Sequence, residues 1–268
     1  MQIEYLPLYV LIGVLSGLLG GALGLGGGIV VVPALLLIFH LRGIEVEVMT
    51  QLAVATSLAT IIVTSIGAVR AHHQRGNMRW PLVWQLAIGV SLGAFAGAFV
   101  ADWLSGPRLA RLFGAFAVLL SLQMMFSSLR APPLNASERL PGAGGLSLAG
   151  AAIGLVSSMF GIGGGSLTVP FLNACRVRMQ QAVAVSSACG LPIALAGCLG
   201  FVIAGWDDPA LPAGSLGYVY LPAAVGIGIA SYPMARVGAG LAHRLPASTL
   251  KRIFAALLFI IGLRLALG

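Results

Sequence analysis

Two glycine clusters, rather than any set of charged side chains, carry the clearest chemical potential in this chain. GLGGGIVVVP contains Gly26, Gly27, Gly28 and Pro33, and GIGGGSLTVP contains Gly163, Gly164, Gly165, Ser166 and Pro170. Glycine has no Cβ, so it accepts positive φ and lets a ligand come close to the backbone amides. A short helix starting after Gly28 or Gly165 would present up to about four unpaired N–H groups and about half a positive charge at its N-terminus. Two such ends facing each other would suit an anion. The chemistry is reversible binding, with no bond made or broken. Close helix packing is the competing use of glycine, and it suffices for the spacings Gly13 to Gly17, Gly89 to Gly93 and Gly93 to Gly97. Three consecutive glycines, repeated at a matching position and followed five residues later by proline, exceed what packing requires. The candidate substrate-binding set is those two clusters plus the hydroxyls of Ser57 and Ser186, which occupy matching positions in AVATS and AVAVS.

Other chemistries lack their residues. His40, His72, His73 and His243 are scattered near the ends of apolar runs and no HExxH occurs. His72 and His73 fall in the basic link RAHHQRGNMRW and read as part of a solvated charge cluster. Cys175, Cys189 and Cys198 have no zinc-site spacing and read as free thiols. Neither a P-loop nor a complete dinucleotide loop is present. An enzyme, a metal site and a cofactor are therefore not expected. All seven acidic residues sit at ends or in links, whereas cation carriers and proton pumps usually keep a carboxylate inside the membrane. Hydroxyls and amides are the polar groups inside the apolar runs, including Ser16, Thr56, Thr60, Thr64, Ser65, Ser157, Ser158 and Thr168.

The elements that must position these groups are membrane helices. The 268 residues are 59% hydrophobic and only 8% charged, with a mean hydropathy of +1.00. A water-soluble domain carries roughly a quarter charged residues, so lipid is the main solvent. Apolar runs at 6–25, 48–69, 82–101, 112–129, 146–168, 182–204, 216–235 and 250–267 meet or approach the roughly 20 residues a span needs. The expected fold is an all-α polytopic membrane protein with about eight transmembrane helices and two glycine-broken or re-entrant short helices. The net charge of +8 resides in links between runs and reads as orientation signals, with no nucleic-acid partner implied. Trp80, Trp84, Trp103 and Trp206 read as interfacial anchors.

The chain is also written twice. The glycine clusters superpose at a constant shift of 137 positions, Gly28 onto Gly165. AVATS falls on AVAVS at a shift of 129, Ser57 onto Ser186, and Gly97, Arg111 and Phe113 fall on Gly238, Arg252 and Phe254 at a shift of 141. Two membrane repeats follow, 1–133 and 134–268, joined by the polar link RAPPLNASERLPGAGG. If the chain crosses once at each break, the halves are parallel and the Lys and Arg residues divide almost evenly between faces. If it turns back at each break through a short helix such as 29–39, all Lys and Arg residues except Arg42, Arg108, Arg111 and Arg264 share one face. The positive-inside bias favours the second arrangement, with inverted halves and both termini outside. The parallel arrangement remains the alternative.

The paired GLGGGIVVVP and GIGGGSLTVP, followed by AVATS and AVAVSS, resemble the TauE/SafE family of membrane permeases over nearly the whole chain. The resemblance implies a cytoplasmic-membrane permease, a multi-pass protein of the cell inner membrane, acting on sulfite, organosulfonates and related anions. The expected partners are a small anionic substrate and the lipid bilayer, and the sequence leaves a homo-oligomer open. The functional expectation is a secondary permease for small anions working by alternating access. A passive anion channel is the nearer alternative and a membrane-embedded enzyme the more remote one.

Overall fold

The computed structural model describes residues 5–23, 27–126, 138–241 and 247–267. In chain order the helices are α1 (Leu6–Leu23), α2 (Gly28–Leu41), α3 (Val46–Gln74), α4 (Trp80–Trp103), α5 (Gly106–Phe126), α6 (Ala143–Met159), α7 (Gly165–Ala174) and α8 (Met179–Ala204). A strand pair, β1 (Ser215–Leu216) with β2 (Val219–Tyr220), precedes α9 (Leu221–Leu241) and α10 (Ala247–Leu267). The protein is an all-α, multi-pass membrane protein apart from this one small hairpin.

The expected count of about eight spans needs correction. Among the described residues four helices are long and apolar enough to cross a bilayer: Val46–Gln74, Trp80–Trp103, Gly106–Met125 and Met179–Ala204. The run 146–168 is not one helix, because the chain leaves helical geometry after Met159 and restarts at Gly165. The run 216–235 gives its first residues to the hairpin, since the Tyr220 amide donates to Thr56 Oγ1 at 2.9 Å and only then does α9 begin. His72 and His73 likewise belong to the last turn of α3 rather than to a solvated link, and His72 is buried.

Glycine sets the helix spacing where the packing reading of the isolated GxxxG pairs requires it. On α4, a Cβ at Gly89, Gly93 or Gly97 would strike the carbonyls of Ser147, Ala151 and Leu155 on α6. On α1, a Cβ at Gly13 or Gly17 would come within 2.5 Å of the carbonyls of Ile227 and Ser231 on α9. Small residues thus bring backbones together where no hydrophobic drive separates protein from lipid. On its lipid side α4 shows Trp84, Ile88 and Leu92, one helical turn apart and each 67% exposed. In contrast, the middle of α3 is hidden all round: Leu52, Ala53, Val54, Ala55, Thr56, Ser57 and Leu58 are each 0% exposed.

The two ends of α3 identify the two ends of the bundle. Near its start, Thr50 Oγ1 donates to the Gly106 carbonyl at 3.0 Å and Gln51 Nε2 to the Leu104 carbonyl at 2.7 Å. Near its finish, Arg75 lies by Gly240 of α9. Both short helices turn back. The end of α2 returns to the start of α1, where Arg42 donates to the Tyr9 hydroxyl at 3.4 Å and covers the Tyr5 ring. The end of α7 returns to the segment before α6, where the Arg139 amide donates to the Cys175 carbonyl at 3.0 Å. Arg139 neighbours Glu138, which pairs with Arg79 just beyond the finish of α3.

Candidate functional site

The first break retraces its own helix. Gly27 lies against Ser16, where an added Cβ would sit 2.6 Å from the carbonyl, although α1 continues to Leu23. At 1.5 Å per residue, Gly27 lies level with a point about 10 Å back along α1 from Leu23. Gly27 does so at φ 76°, in the left-handed region, and serves as the N-cap of α2 with no side chain to accept from the first amides. In the second break Gly164 caps α7, also without a side-chain acceptor. Both short helices therefore keep the uncapped N-termini expected of an anion seat. Gly26 lies outside the described residues.

The two breaks touch. A Cβ on Gly28 would strike the Gly161 carbonyl, and Ser57 Oγ, which lies beside Gly28, donates to that same carbonyl at 2.7 Å. Gly161 holds φ 61° and packs on Val54 and Val32, so α3 and α2 both reach it. Ser57 belongs to the candidate set read from the sequence, and Gly161 does not. Ser186 is fully buried on α8. Gly163, Gly164, Gly165 and Ser166 are buried at the second break. Pro33 and Pro170 lie inside α2 and α7, beyond the breaks, where each lacks the amide that would bond the residue four before it.

Hydroxyls distinguish the second break from the first. Ser157 and Ser158 at the end of α6, and Ser166 and Thr168 in the first turns of α7, are all at least 97% buried and their side-chain oxygens have no hydrogen-bond partner. A buried hydroxyl left unpaired costs about 1–3 kcal/mol, so four flanking one break require an explanation. The Ser158 hydroxyl faces Gly197 of α8, and Gly164 faces Ile193 and Cys189 of the same helix. At the shift of 137 positions, these four residues align with Gly20, Gly21, Ile29 and Val31, so none has a polar counterpart in the first half. Of these four, Ser166 belongs to the candidate set, whereas Ser157, Ser158 and Thr168 are among the polar groups inside the apolar runs. Their sequence signal is the mismatch between the halves at these positions.

Among the described residues, no group of three or more His, Cys, Asp or Glu side chains is placed to hold a metal ion. Buried polar side chains among them are hydroxyls, Gln51 and His72, with no Lys, Arg, Asp or Glu.

The model of the family described as sulfite exporter TauE/SafE matches residues 9–265. A probable membrane transporter protein of Haemophilus influenzae is 35% identical over 265 residues, covering 98% of each chain. A protein of the same description from Methanocaldococcus jannaschii is 27% identical over 259 residues, covering 96% of this chain and 94% of its own. The YunE probable membrane transporter protein of Bacillus subtilis is 27% identical over 178 residues, covering 60% of this chain and 64% of its own. No solved structure matches the chain significantly. The chain belongs to the sulfite exporter TauE/SafE family.

Proposed function

We propose that this membrane transporter of the TauE/SafE family carries small oxyanions, sulfur-containing ones such as sulfite or organosulfonates, across the cytoplasmic membrane by alternating access. The observation that carries the reading is the meeting of the two glycine breaks at Gly28, Ser57 and Gly161, with two uncapped helix N-termini beside it. Non-helical backbone at membrane depth needs shelter by protein or by a water-lined cavity, and here each break shelters the other. The described residues of both breaks are buried, and Gly28 closes on Gly161 in this conformation. Access then comes from separating them toward one face or the other.

The repeats 1–133 and 134–268 are the moving halves in this proposal, and they are inverted. Supporting this, the order α1 to α5 recurs as α6 to α10, with a short second helix in each. The first re-entrant pair is anchored by Arg42 at the end of the bundle where α3 starts, and the second by Arg139 and Cys175 at the end where α3 finishes. Such pairs of discontinuous helices at a repeat interface are the usual substrate site of secondary transporters.

The test is flux in proteoliposomes holding the purified full chain, with radiolabelled sulfite, methanesulfonate and sulfate under imposed pH and ion gradients. Saturable oxyanion flux, and concentration of substrate against its gradient, are expected. Absence of flux for every oxyanion overturns the reading, and flux that never concentrates substrate turns it into a channel.

A further inference from the structure

Resting on the transport reading above, we propose that the two breaks divide the work: the second alone holds the anion, through Ser157, Ser158, Ser166, Thr168 and the uncapped amides of α7, and it prefers monoanions bearing an XO3 group over dianions. The start of α2 acts as the lid, pressing Gly28 onto Gly161, whose carbonyl Ser57 of α3 also holds.

Chemical asymmetry carries the division. The Val31 and Thr168 amides donate alike to the Gly27 and Gly164 carbonyls, at 3.3 and 2.7 Å, but the residues that follow Gly28 are Ile29, Val30, Val31 and Val32, with nothing but backbone to offer a polar ligand. The corresponding turn of α7 starts Gly165, Ser166, Leu167, Thr168 and carries two buried hydroxyls, while Ser157 and Ser158 end α6 on the other side of the same break. The Ile162 amide donates to the Ser157 carbonyl and the Gly161 amide to the Ser158 carbonyl, so both serines are fixed at the mouth of the turn. Thr168 Oγ1 points back toward the N-cap, lying 3.2 Å from where a Gly164 Cβ would be. Ser166 and Thr168 are thus two buried, unpaired hydroxyls at the positive end of a ten-residue helix, and Ser157 and Ser158 are two more at the end of α6 before it. An XO3 group has three acceptor oxygens to receive them.

Charge selection follows from what surrounds the hydroxyls. Among the described residues no Lys or Arg is buried, so the donors are neutral. The cost of moving an ion out of water grows with the square of its charge, and neutral donors with one helix end cannot offset a doubled charge as a guanidinium would. A sulfonate or hydrogen sulfite monoanion fits this seat, and sulfate is the disfavoured case.

The experiment compares the wild-type chain with Ser166→Ala/Thr168→Val and, as a remote control, Ser121→Ala on α5, whose hydroxyl is paired with the Val118 carbonyl. Methanesulfonate and sulfate flux are measured in proteoliposomes, and thermal unfolding is followed in detergent with and without each anion. The double variant is expected to raise the methanesulfonate KM about tenfold or more and to lose the methanesulfonate-induced rise in Tm, while Ser121→Ala keeps both. Without ligand the double variant melts no lower than the wild type, since it has lost two unpaired buried hydroxyls, which separates a ligand role from a folding one. Methanesulfonate is expected to compete at least about tenfold better than sulfate. An unchanged KM and Tm shift in the double variant overturn this assignment and leave the transport reading standing, and equal competition by sulfate overturns the charge preference. No oxyanion flux in the wild type overturns the transport reading, and the inference with it.

Discussion

Ser57 joins two parts of the chain that sequence separates widely. Its hydroxyl satisfies the carbonyl of Gly161, a residue in left-handed geometry whose oxygen is buried between α2 and α3. Ser57→Ala leaves that oxygen unpaired and should lower unfolding stability by about 1–3 kcal/mol, read by denaturation in detergent. At the end of the bundle, Tyr218 lies in the turn between β1 and β2 and donates to Asp208 Oδ2 at 3.1 Å. Burial pushes its phenol above the ordinary tyrosine range, with Asp102 and then Asp208 adding to the shift. A raised folded value means that stability from this group is fully present below the ordinary tyrosine pKa and lost as pH rises through the shifted one. Ultraviolet titration should find one tyrosine ionising above the rest, and Tyr218→Phe should remove it.

At the scale of elements, glycine has two different uses in the two breaks. At Gly28 an added Cβ would meet backbone, the Gly161 carbonyl, which cannot move without parting α2 from the second break. At Gly164 it would meet only the side-chain tips of Ile193 at 2.9 Å and Thr168 at 3.2 Å, which can rotate away. Gly28→Ala is therefore expected to cost about 3 kcal/mol and yield little monodisperse protein on size exclusion. Gly164→Ala should fold and elute as wild type while losing most methanesulfonate flux, because the methyl group crowds the N-cap of α7. Equal folding of both variants would remove the distinction between lid and seat. The glycine ladder on α4 belongs to the packing class, and Gly93→Val should separate α4 from α6 and lower Tm with no selective effect on substrate affinity.

At the scale of the whole molecule, the proposed inversion of the halves predicts which loops share a face. Asp207 is exposed beyond α8, and Gly142 stands in open space before α6. In a background where Cys175, Cys189 and Cys198 are replaced, Asp207→Cys should react with a membrane-impermeant maleimide in intact cells. Gly142→Cys should react only after permeabilisation, and labelling of both from outside would overturn the inverted arrangement.

Much of this architecture is local, and local features are legible in sequence. Lipid-matched composition, the apolar runs of α3, α4, α5 and α8, and the restart of helix at Gly28 and Gly165 all follow from residues within a few turns of one another. The sequence by itself also determined the positions at which the helices break, because three glycines in a row cannot be argued into an ordinary helix. Tertiary structure decided how many helices reach full span length, which break lies against which helix, and which hydroxyls are satisfied. Ser57 and Ser166 look alike as buried serines in small-residue surroundings, yet one is bonded to a carbonyl 104 positions away and the other to nothing. Hydrogen-bond satisfaction depends on partners brought together by packing, and no periodicity along the chain records who those partners are.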